Sequence, residues 1–186
     1  MRGLFAAVLA AFAFVLAGCA ANTAAPLPAA QGAMQPYRLQ AGDVVRVLVY
    51  NQQSLSTDYK IGDNGMISLP LLGDVKAADL TVPELQKSVA DGFGNGIFVN
   101  PGVSVEISQY RPFFVTGEVA KPGQYAYTPG LSVLGAIAAA GGFTVRADKD
   151  RMTMVRRDGG NSSEWAVTSV TEVRPGDVIV VREHFF

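Results

Sequence analysis

The chain has 186 residues, of which 49% are hydrophobic, 17% charged and 9% aromatic, with 20 glycines and 10 prolines. This composition is typical of a turn-rich globular protein, and its net charge of −1 argues against duplex nucleic-acid binding. One histidine, His184, and one cysteine, Cys19, do not supply the residues of a Cys/His zinc site or of the common histidine-dependent catalytic sets. We therefore expect no metal, no cofactor and no catalytic residues.

The N-terminal segment has the pattern of a signal peptide. Arg2 supplies a positive charge, residues 4–17 form an apolar run, and Leu-Ala-Gly-Cys ends at Cys19. The run is short for a membrane span, so residues 1–18 are predicted to be a signal peptide. The cysteine is either incidental or part of a lipobox. The lipobox is the preferred interpretation, because the single cysteine of the chain falls where that motif requires it.

Leu-Ala-Gly-Cys resembles the lipobox of bacterial lipoproteins, which implies lipid attachment to Cys19 and cleavage before it. Acyl chains on one residue are sufficient for stable anchoring. By resemblance to enterobacterial sorting, Ala20 after the cysteine indicates the outer membrane, with the folded part in the periplasm. Residues 20–35 carry no charge and show no apolar periodicity, so residues 19–36 are predicted to be a flexible tether.

Two segments of the chain repeat a turn followed by a strand. The folded part is predicted to begin at Tyr37, where Gly42-Asp43 precedes a valine-rich run, and Gly176-Asp177 precedes a similar run near the other end. Glycine permits positive φ, aspartate can cap a turn, and β-branched residues favour strands. The repetition indicates either two turns that are similar by chance or a shared local architecture.

The first module is predicted to span residues 37–110. Its Asp63-Asn64-Gly65 turn lies between apolar residues and predicts a hairpin within residues 59–75, with Pro70 at the end or edge of the second strand. Thr81 and Glu84 have the spacing of a helix-starting capping box.

This helix is expected to bury an apolar stripe and to end at Gly92 and Gly94. The stripe consists of Val82, Leu85 and Val89. Residues 103–107 alternate between apolar and polar types, which predicts a half-buried strand after the helix.

The second module is predicted to span residues 111–186, because Tyr110-Arg111-Pro112 breaks the preceding strand. Two runs around Pro122-Gly123 predict a hairpin, and Ser132 is expected to cap a helix over 131–140 that ends at Gly141-Gly142. The inward face of that helix is predicted to be Leu134, Ile137 and Ala138. Further strands are predicted at 152–155, 165–167 and 178–181. A hairpin, one helix and more strands are the order of an α+β ubiquitin-like β-grasp fold.

The predicted elements resemble, in order, the N-terminal domain of bacterial polysaccharide export proteins and the β-grasp module called SLBB that follows it. The first resemblance is carried by Tyr37-Arg38-Leu39, Gly42-Asp43-Val44, residues 65–73, Leu80-Thr81, Glu84-Leu85, Val99-Asn100-Pro101 and Val103-Ser104-Val105. The second is carried by residues 115–119, Pro122-Gly123, residues 134–137 and Ala140-Gly141-Gly142. Together they cover residues 37–182.

This family, of which the Wza-type capsule exporters are typical, implies an outer-membrane lipoprotein that forms periplasmic homo-oligomeric rings. The implied partners are a polysaccharide substrate and an inner-membrane polysaccharide co-polymerase. Larger members have further β-grasp modules and a C-terminal amphipathic helix, whereas this sequence ends at Phe186 directly after its last predicted strand. It therefore resembles the short, xanthan-exporter-like class, and we expect no membrane-spanning segment after the signal peptide.

The expected function is a non-catalytic ring or collar for exopolysaccharide or capsule export. The alternatives are a periplasmic adaptor or carbohydrate-binding module that links a co-polymerase to a separate pore, and an enzyme that trims the polymer.

Several chemical signals are better explained by structure than by function. The glycines in residues 92–96 follow a helix rather than a strand, so a helix end is preferred to a phosphate loop. The segment Arg156-Arg157-Asp158-Gly159 is expected to be a solvated hairpin end.

Packing is preferred to sugar stacking for the aromatic residues, and no sugar site is assigned. The aromatic residues considered are Tyr50, Tyr59, Tyr110, Tyr125, Tyr127 and Trp165. Turn formation is preferred to glycoside hydrolysis for four carboxylates: Asp43, Asp63, Asp74 and Asp177.

Overall fold

The computed structural model describes residues 36–158 and 161–184. Within these residues, strands and helices form two successive modules, each with its own buried hydrophobic cluster. The α+β class predicted from the sequence is confirmed. The predicted signal peptide, the lipid attachment at Cys19 and nearly all of the predicted tether lie outside the described residues.

The first module is built on an antiparallel three-stranded sheet of order β2-β1-β5, a separate hairpin β3-β4 and one helix. In chain order the elements are β1 (Val44–Val49), a 3₁₀ turn (Gln53–Leu55), β2 (Thr57–Lys60), β3 (Met66–Leu69), β4 (Gly73–Lys76), α1 (Val82–Gly94) and β5 (Val103–Gln109). Strands β1 and β5 alternate between buried and exposed side chains, as a sheet covered on one face requires.

Helix α1 begins with the predicted capping box. The backbone N–H of Thr81 donates to Glu84 Oε2 at 2.7 Å, and the N–H of Glu84 donates to Thr81 Oγ1 at 3.4 Å. These two bonds satisfy two N–H groups that lack a partner within the helix. The helix buries Leu85, Val89 and Phe93 against the sheet, which extends the predicted stripe by one turn.

The prediction that Gly92 ends this helix is wrong. Helix α1 continues to Gly94, and Gly92 lies inside it. A Cβ at Gly92 would lie 2.8 Å from a methyl carbon of Leu72, so glycine permits the β3-β4 loop to pack against the helix. Gly92 therefore does not end the helix but allows Leu72 to pack closely against it.

The predicted hairpin around Asp63-Asn64-Gly65 has the turn but not the pairing. Gly65 has φ +76°, and Asn64 Oδ1 accepts the Met66 N–H at 3.0 Å. Strand β2 before this turn pairs with β1, whereas β3 after it pairs with β4. The hairpin closes instead around Pro70, which directly follows β3 as predicted. A turn signal fixes the local chain reversal but does not determine which strands become neighbours.

The second module is a five-stranded mixed sheet of order β7-β6-β10-β8-β9 with one helix. Its elements are β6 (Phe113–Gly117), β7 (Gly123–Tyr125), α2 (Val133–Ala139), β8 (Ala147–Asp158), β9 (Asn161–Val167) and β10 (Val178–Glu183). The predicted β6-β7 hairpin is confirmed by antiparallel pairing. The last strand, β10, lies between β6, to which it is parallel, and β8, to which it is antiparallel.

Helix α2 is capped as predicted but presents a different face to the core. Ser132 Oγ accepts the Gly135 N–H at 3.2 Å, and two glycines with positive φ follow the helix. Of the predicted inward residues, Ile137 is buried, whereas Leu134 is 51% exposed and Ala138 is also exposed. The buried positions have spacings of three and four residues, so they form one helical face. They are Val133, Ala136, Ile137 and Ala140.

Candidate functional site

The two Gly-Asp turns have the same geometry. Gly42 has φ +95° and Gly176 has φ +86°, in the region that favours glycine. Both Asp43 and Asp177 are buried, and each carboxylate accepts a backbone N–H from three residues earlier, at 2.9 and 2.7 Å. The two segments therefore share a local architecture, and each aspartate caps its turn as the sequence indicated.

Asp43 is the centre of a polar cluster in the first module. Its side chain is fully buried and accepts the Tyr37 hydroxyl at 2.7 Å and the Arg111 backbone N–H at 2.8 Å. The Arg111 guanidinium lies 3.7 Å from the carboxylate and donates to the Tyr37 hydroxyl at 3.2 Å. A buried carboxylate is tolerable only when it is paired and hydrogen-bonded. Here part of that pairing comes from residues 110–112, which connect β5 to β6 and are called the linker below.

Asp177 occupies the equivalent position in the second module. Arg156 on β8 donates two parallel hydrogen bonds to it, at 3.0 and 2.7 Å, and a third to the Glu172 carbonyl at 3.1 Å. Arg156 is only 8% exposed, so the expectation that it lies in a solvated hairpin end is wrong, although its neighbour Arg157 is exposed. Strand β8 is long enough to place this position inside the sheet rather than at its end.

Arg111 lies between the two turns. A Cβ on Gly42 would be 3.5 Å from the Arg111 Cβ, and a Cβ on Gly176 would be 2.5 Å from its Nε. The Gly176 N–H also donates to the Pro112 carbonyl at 3.1 Å. Gly176 thus provides both a positive φ and room for the arginine, whereas a Cβ at Gly42 would make only an ordinary contact with it. In the sequence, Arg111 is recognisable only as part of a strand-breaking segment, since no spacing or motif marks it as a contact of two distant turns.

Three tyrosines beside Arg111 pack against one another across the two modules. Tyr110 in the linker meets Tyr37 edge-on at 5.2 Å between ring centroids, and it meets Tyr127 edge-on at 5.3 Å. Burial, and then the hydrogen bond to Asp43, raise the pKa of Tyr37 well above its ordinary value, and burial also raises the pKa of Tyr127. Both hydroxyls are therefore neutral at physiological pH. The cluster of Tyr37, Asp43, Tyr110, Arg111 and Tyr127 is called the junction below.

The remaining aromatic candidates differ in exposure. Tyr59 is half-buried and donates its hydroxyl to the Leu55 carbonyl at 3.1 Å, and Tyr125 stacks on Phe113 at 5.9 Å between centroids. Trp165 is half-buried on β9. Packing accounts for Tyr59 and Tyr125, as expected. Tyr50 is the exception, because 78% of it is exposed.

The carboxylates considered for hydrolysis are not paired with one another in the structure. Asp43 and Asp177 bind arginines, and Asp63 and Asp74 lie at exposed positions in or beside turns. Within residues 36–158 and 161–184, no group of three or more His, Cys, Asp or Glu side chains has an arrangement suited to a metal ion. In the same ranges, neither helix has the length and apolar content needed to cross a bilayer.

Comparison with known families assigns both modules. Residues 31–108 match the family described as polysaccharide biosynthesis/export protein, and residues 112–165 match the SLBB domain. The chain belongs to the polysaccharide biosynthesis/export protein family. The interval between the two matched segments, residues 109–111, contains Tyr110 and Arg111, so the junction of this export-family chain lies where its two family domains meet.

Two curated relatives support this membership. The exopolysaccharide production protein ExoF of Rhizobium meliloti is 36% identical over 73% of this chain, and the match covers 34% of ExoF. The EPS I polysaccharide export outer membrane protein EpsA of Ralstonia nicotianae is 26% identical over 76% of the chain, and the match covers 43% of EpsA. The export-family chain thus spans between one third and one half of the length of these relatives. Their names describe proteins of polysaccharide production and export.

Proposed function

We propose that the chain is a non-catalytic component of an exopolysaccharide or capsule export apparatus. Copies of it form a periplasmic ring or collar through which polysaccharide is translocated. The lipid on Cys19 anchors this collar to the outer membrane, and an inner-membrane polysaccharide co-polymerase is its partner. Family membership supports the export role, the names of the two relatives support the substrate class, and the name of EpsA supports the outer-membrane location.

The junction is the observation that carries the collar hypothesis. A closed ring of identical subunits requires each copy to present the same two surfaces at a fixed angle. Arg111 lies against both turns, and Tyr110 packs edge-on against a tyrosine of each module. These contacts support a fixed angle between the modules, which a ring subunit needs.

The test combines secretion with assembly. A strain that lacks the gene is compared with one that expresses the full chain, and polysaccharide is measured in the medium and in the periplasm. We expect the deletion to abolish secretion and the full chain to restore it. The lipidated protein, extracted in detergent, is then crosslinked and analysed by native mass spectrometry, alone and with the co-polymerase. We expect a closed oligomer in at least one of these conditions.

The alternatives give different results in the same experiments. Monomer in every condition, with secretion still dependent on the protein, would replace the collar by the adaptor that links a co-polymerase to a separate pore. A changed polymer length with normal secretion would indicate a trimming enzyme. Unchanged secretion and unchanged polymer length in the deletion strain would refute the export role itself.

A further inference from the structure

A groove at one end of the first module is outside the junction. It lies between the end of α1 and the following loop, has a volume of about 960 Å³, and adjoins a cleft of about 210 Å³ beside the end of β1. The two share Phe98, Val99, Asn100 and Pro101 in their walls. Both are open surface depressions rather than enclosed pockets.

The walls of this groove combine exposed apolar side chains with amide side chains that make no hydrogen bond within the described residues. Val99 is 92% exposed and Tyr50 is 78% exposed, so both present apolar surface to the solvent. Four amide side chains lie beside them: Asn51, Gln52, Asn95 and Asn100. In the part of the chain that the structure describes, these four amides make no side-chain hydrogen bond.

The backbone holds this surface in place without a ligand. The Tyr50 N–H donates to the Gly102 carbonyl at 2.8 Å, and the Phe98 N–H donates to the Phe93 carbonyl at 2.8 Å. A Cβ on Gly102 would lie 3.2 Å from the Tyr50 Cβ, so the tyrosine rests closely against this glycine. Asn51 and Asn100 both have positive φ, at 59° and 47°. The tyrosine and the amides are therefore carried by a fixed pair of turns.

The charge of the groove selects among ligand classes. Among the described residues that line the two cavities, none is a lysine or an arginine, and Asp91 is the one acidic residue. Asp91 is already paired with Lys87 in the preceding turn of the helix. An acidic polymer would require cationic groups. A neutral sugar requires amides for its hydroxyls and an apolar or aromatic surface for its C–H faces.

We propose that this groove binds a neutral segment of the exported polysaccharide, with Tyr50 stacked on a sugar ring and the amides bonded to its hydroxyls. This inference rests on the proposed export function. It assigns the substrate class of one surface, and a charged polymer is expected to bind there only through its neutral residues.

The test uses two hexasaccharides of equal length, neutral cellohexaose and acidic hexagalacturonate, titrated calorimetrically into the full chain in detergent. We expect cellohexaose to bind more tightly than hexagalacturonate. Tyr50→Ala should weaken cellohexaose binding about two- to tenfold through loss of the aromatic contact. Asn100→Gly, which preserves the positive φ, should weaken it about three- to tenfold through loss of a hydrogen bond. Val170→Ala, at an 83% exposed apolar side chain of the other module, is the matched control and should have no effect.

Three results would overturn the proposal: no cellohexaose binding, cellohexaose binding that is unchanged in both groove variants, and tighter binding of hexagalacturonate. Disassembly of an oligomer by Tyr50→Ala would also overturn it, because the surface would then be a contact between copies. Measuring secretion distinguishes failure of the groove proposal from failure of the proposed export role. If the deletion abolishes secretion while Tyr50→Ala binds and secretes normally, the groove assignment fails and the export function stands.

Discussion

Replacing Asp43 by asparagine tests whether the buried carboxylate holds the first module and the junction together. One carboxylate oxygen accepts the Arg111 N–H, and the other accepts both the Tyr37 hydroxyl and a backbone N–H of its own turn. An amide keeps one oxygen and turns the other into a donor. At least one N–H or O–H donor therefore loses its acceptor, and the remaining bonds lose their charge.

The expected cost follows from these bonds. A hydrogen bond to a charged group contributes about 1.5–3 kcal/mol, and an unpaired buried polar group costs a similar amount. We therefore expect Asp43→Asn to lower the free energy of unfolding by about 3 kcal/mol. For a module of this size, that corresponds to a fall in Tm of roughly 12–24 °C. The matched control is Asp63→Asn, at an exposed turn position, which should change stability by less than about 0.5 kcal/mol.

Two probes in the same urea titration of the full chain report on different modules. The single tryptophan, Trp165, lies on β9 of the second module, so its fluorescence follows that module, whereas far-UV circular dichroism follows both. We expect Asp43→Asn to shift the dichroism midpoint more than the fluorescence midpoint. A loss of less than about 1 kcal/mol, or an equal loss in Asp63→Asn, would refute the structural role assigned to the carboxylate.

Four further outcomes are expected. Thr81→Ala should cost about 0.5–2 kcal/mol in chemical unfolding by removing the helix cap, and unchanged stability would place the helix start elsewhere. Tyr37→Phe should reduce the loss of stability above about pH 10. The pKa of Tyr37 is higher in the folded than in the unfolded state, so its contribution to stability is complete below the unfolded-state pKa and is lost as the pH rises above that pKa. Equal dependence of stability on alkaline pH in the two proteins would contradict this. Gly117→Ala should prevent folding of the second module, judged by soluble yield and Trp165 fluorescence, since Gly117 has φ +88° and a Cβ would lie 1.9 Å from the Val181 carbonyl oxygen. Cys19→Ala should leave the protein unacylated and mislocalised, which mass spectrometry and membrane fractionation test; correct anchoring without the thiol would refute the lipoprotein hypothesis.

Local signals predicted most of the elements because they depend on neighbouring residues. The Thr81 cap, the Ser132 cap and the alternation in β5 each involve residues within a few positions of one another. Predictions about partners were less successful. The Asp63-Asn64-Gly65 turn forms, but its flanking strands pair elsewhere, since pairing depends on which sheet edges are available after the whole module collapses.

The junction was beyond sequence reasoning for the same reason. The Gly-Asp repetition showed that two turns are alike, yet Asp43 and Arg111 are separated by 68 positions and Arg156 and Asp177 by 21. An arginine beside a hairpin end is usually solvated, and no local pattern distinguishes one that points into a sheet. The buried pair of Arg156 and Asp177 depends on the extension of strand β8 to Asp158, which no local pattern indicates.

The two turns differ in where their arginines come from, so the two modules differ in whether their buried carboxylate is paired from within the module. Asp177 is paired with Arg156 from a strand of its own module, so that turn is complete within the second module. Asp43 is paired with Arg111 from the linker, so the first module depends on the chain segment that joins it to its neighbour. A movement that separated the modules at this segment would break the bonds of a fully buried carboxylate, at a cost of several kcal/mol. The linker is therefore a structural part of the first module, and a hinge at this position is opposed by the same contacts that complete its fold.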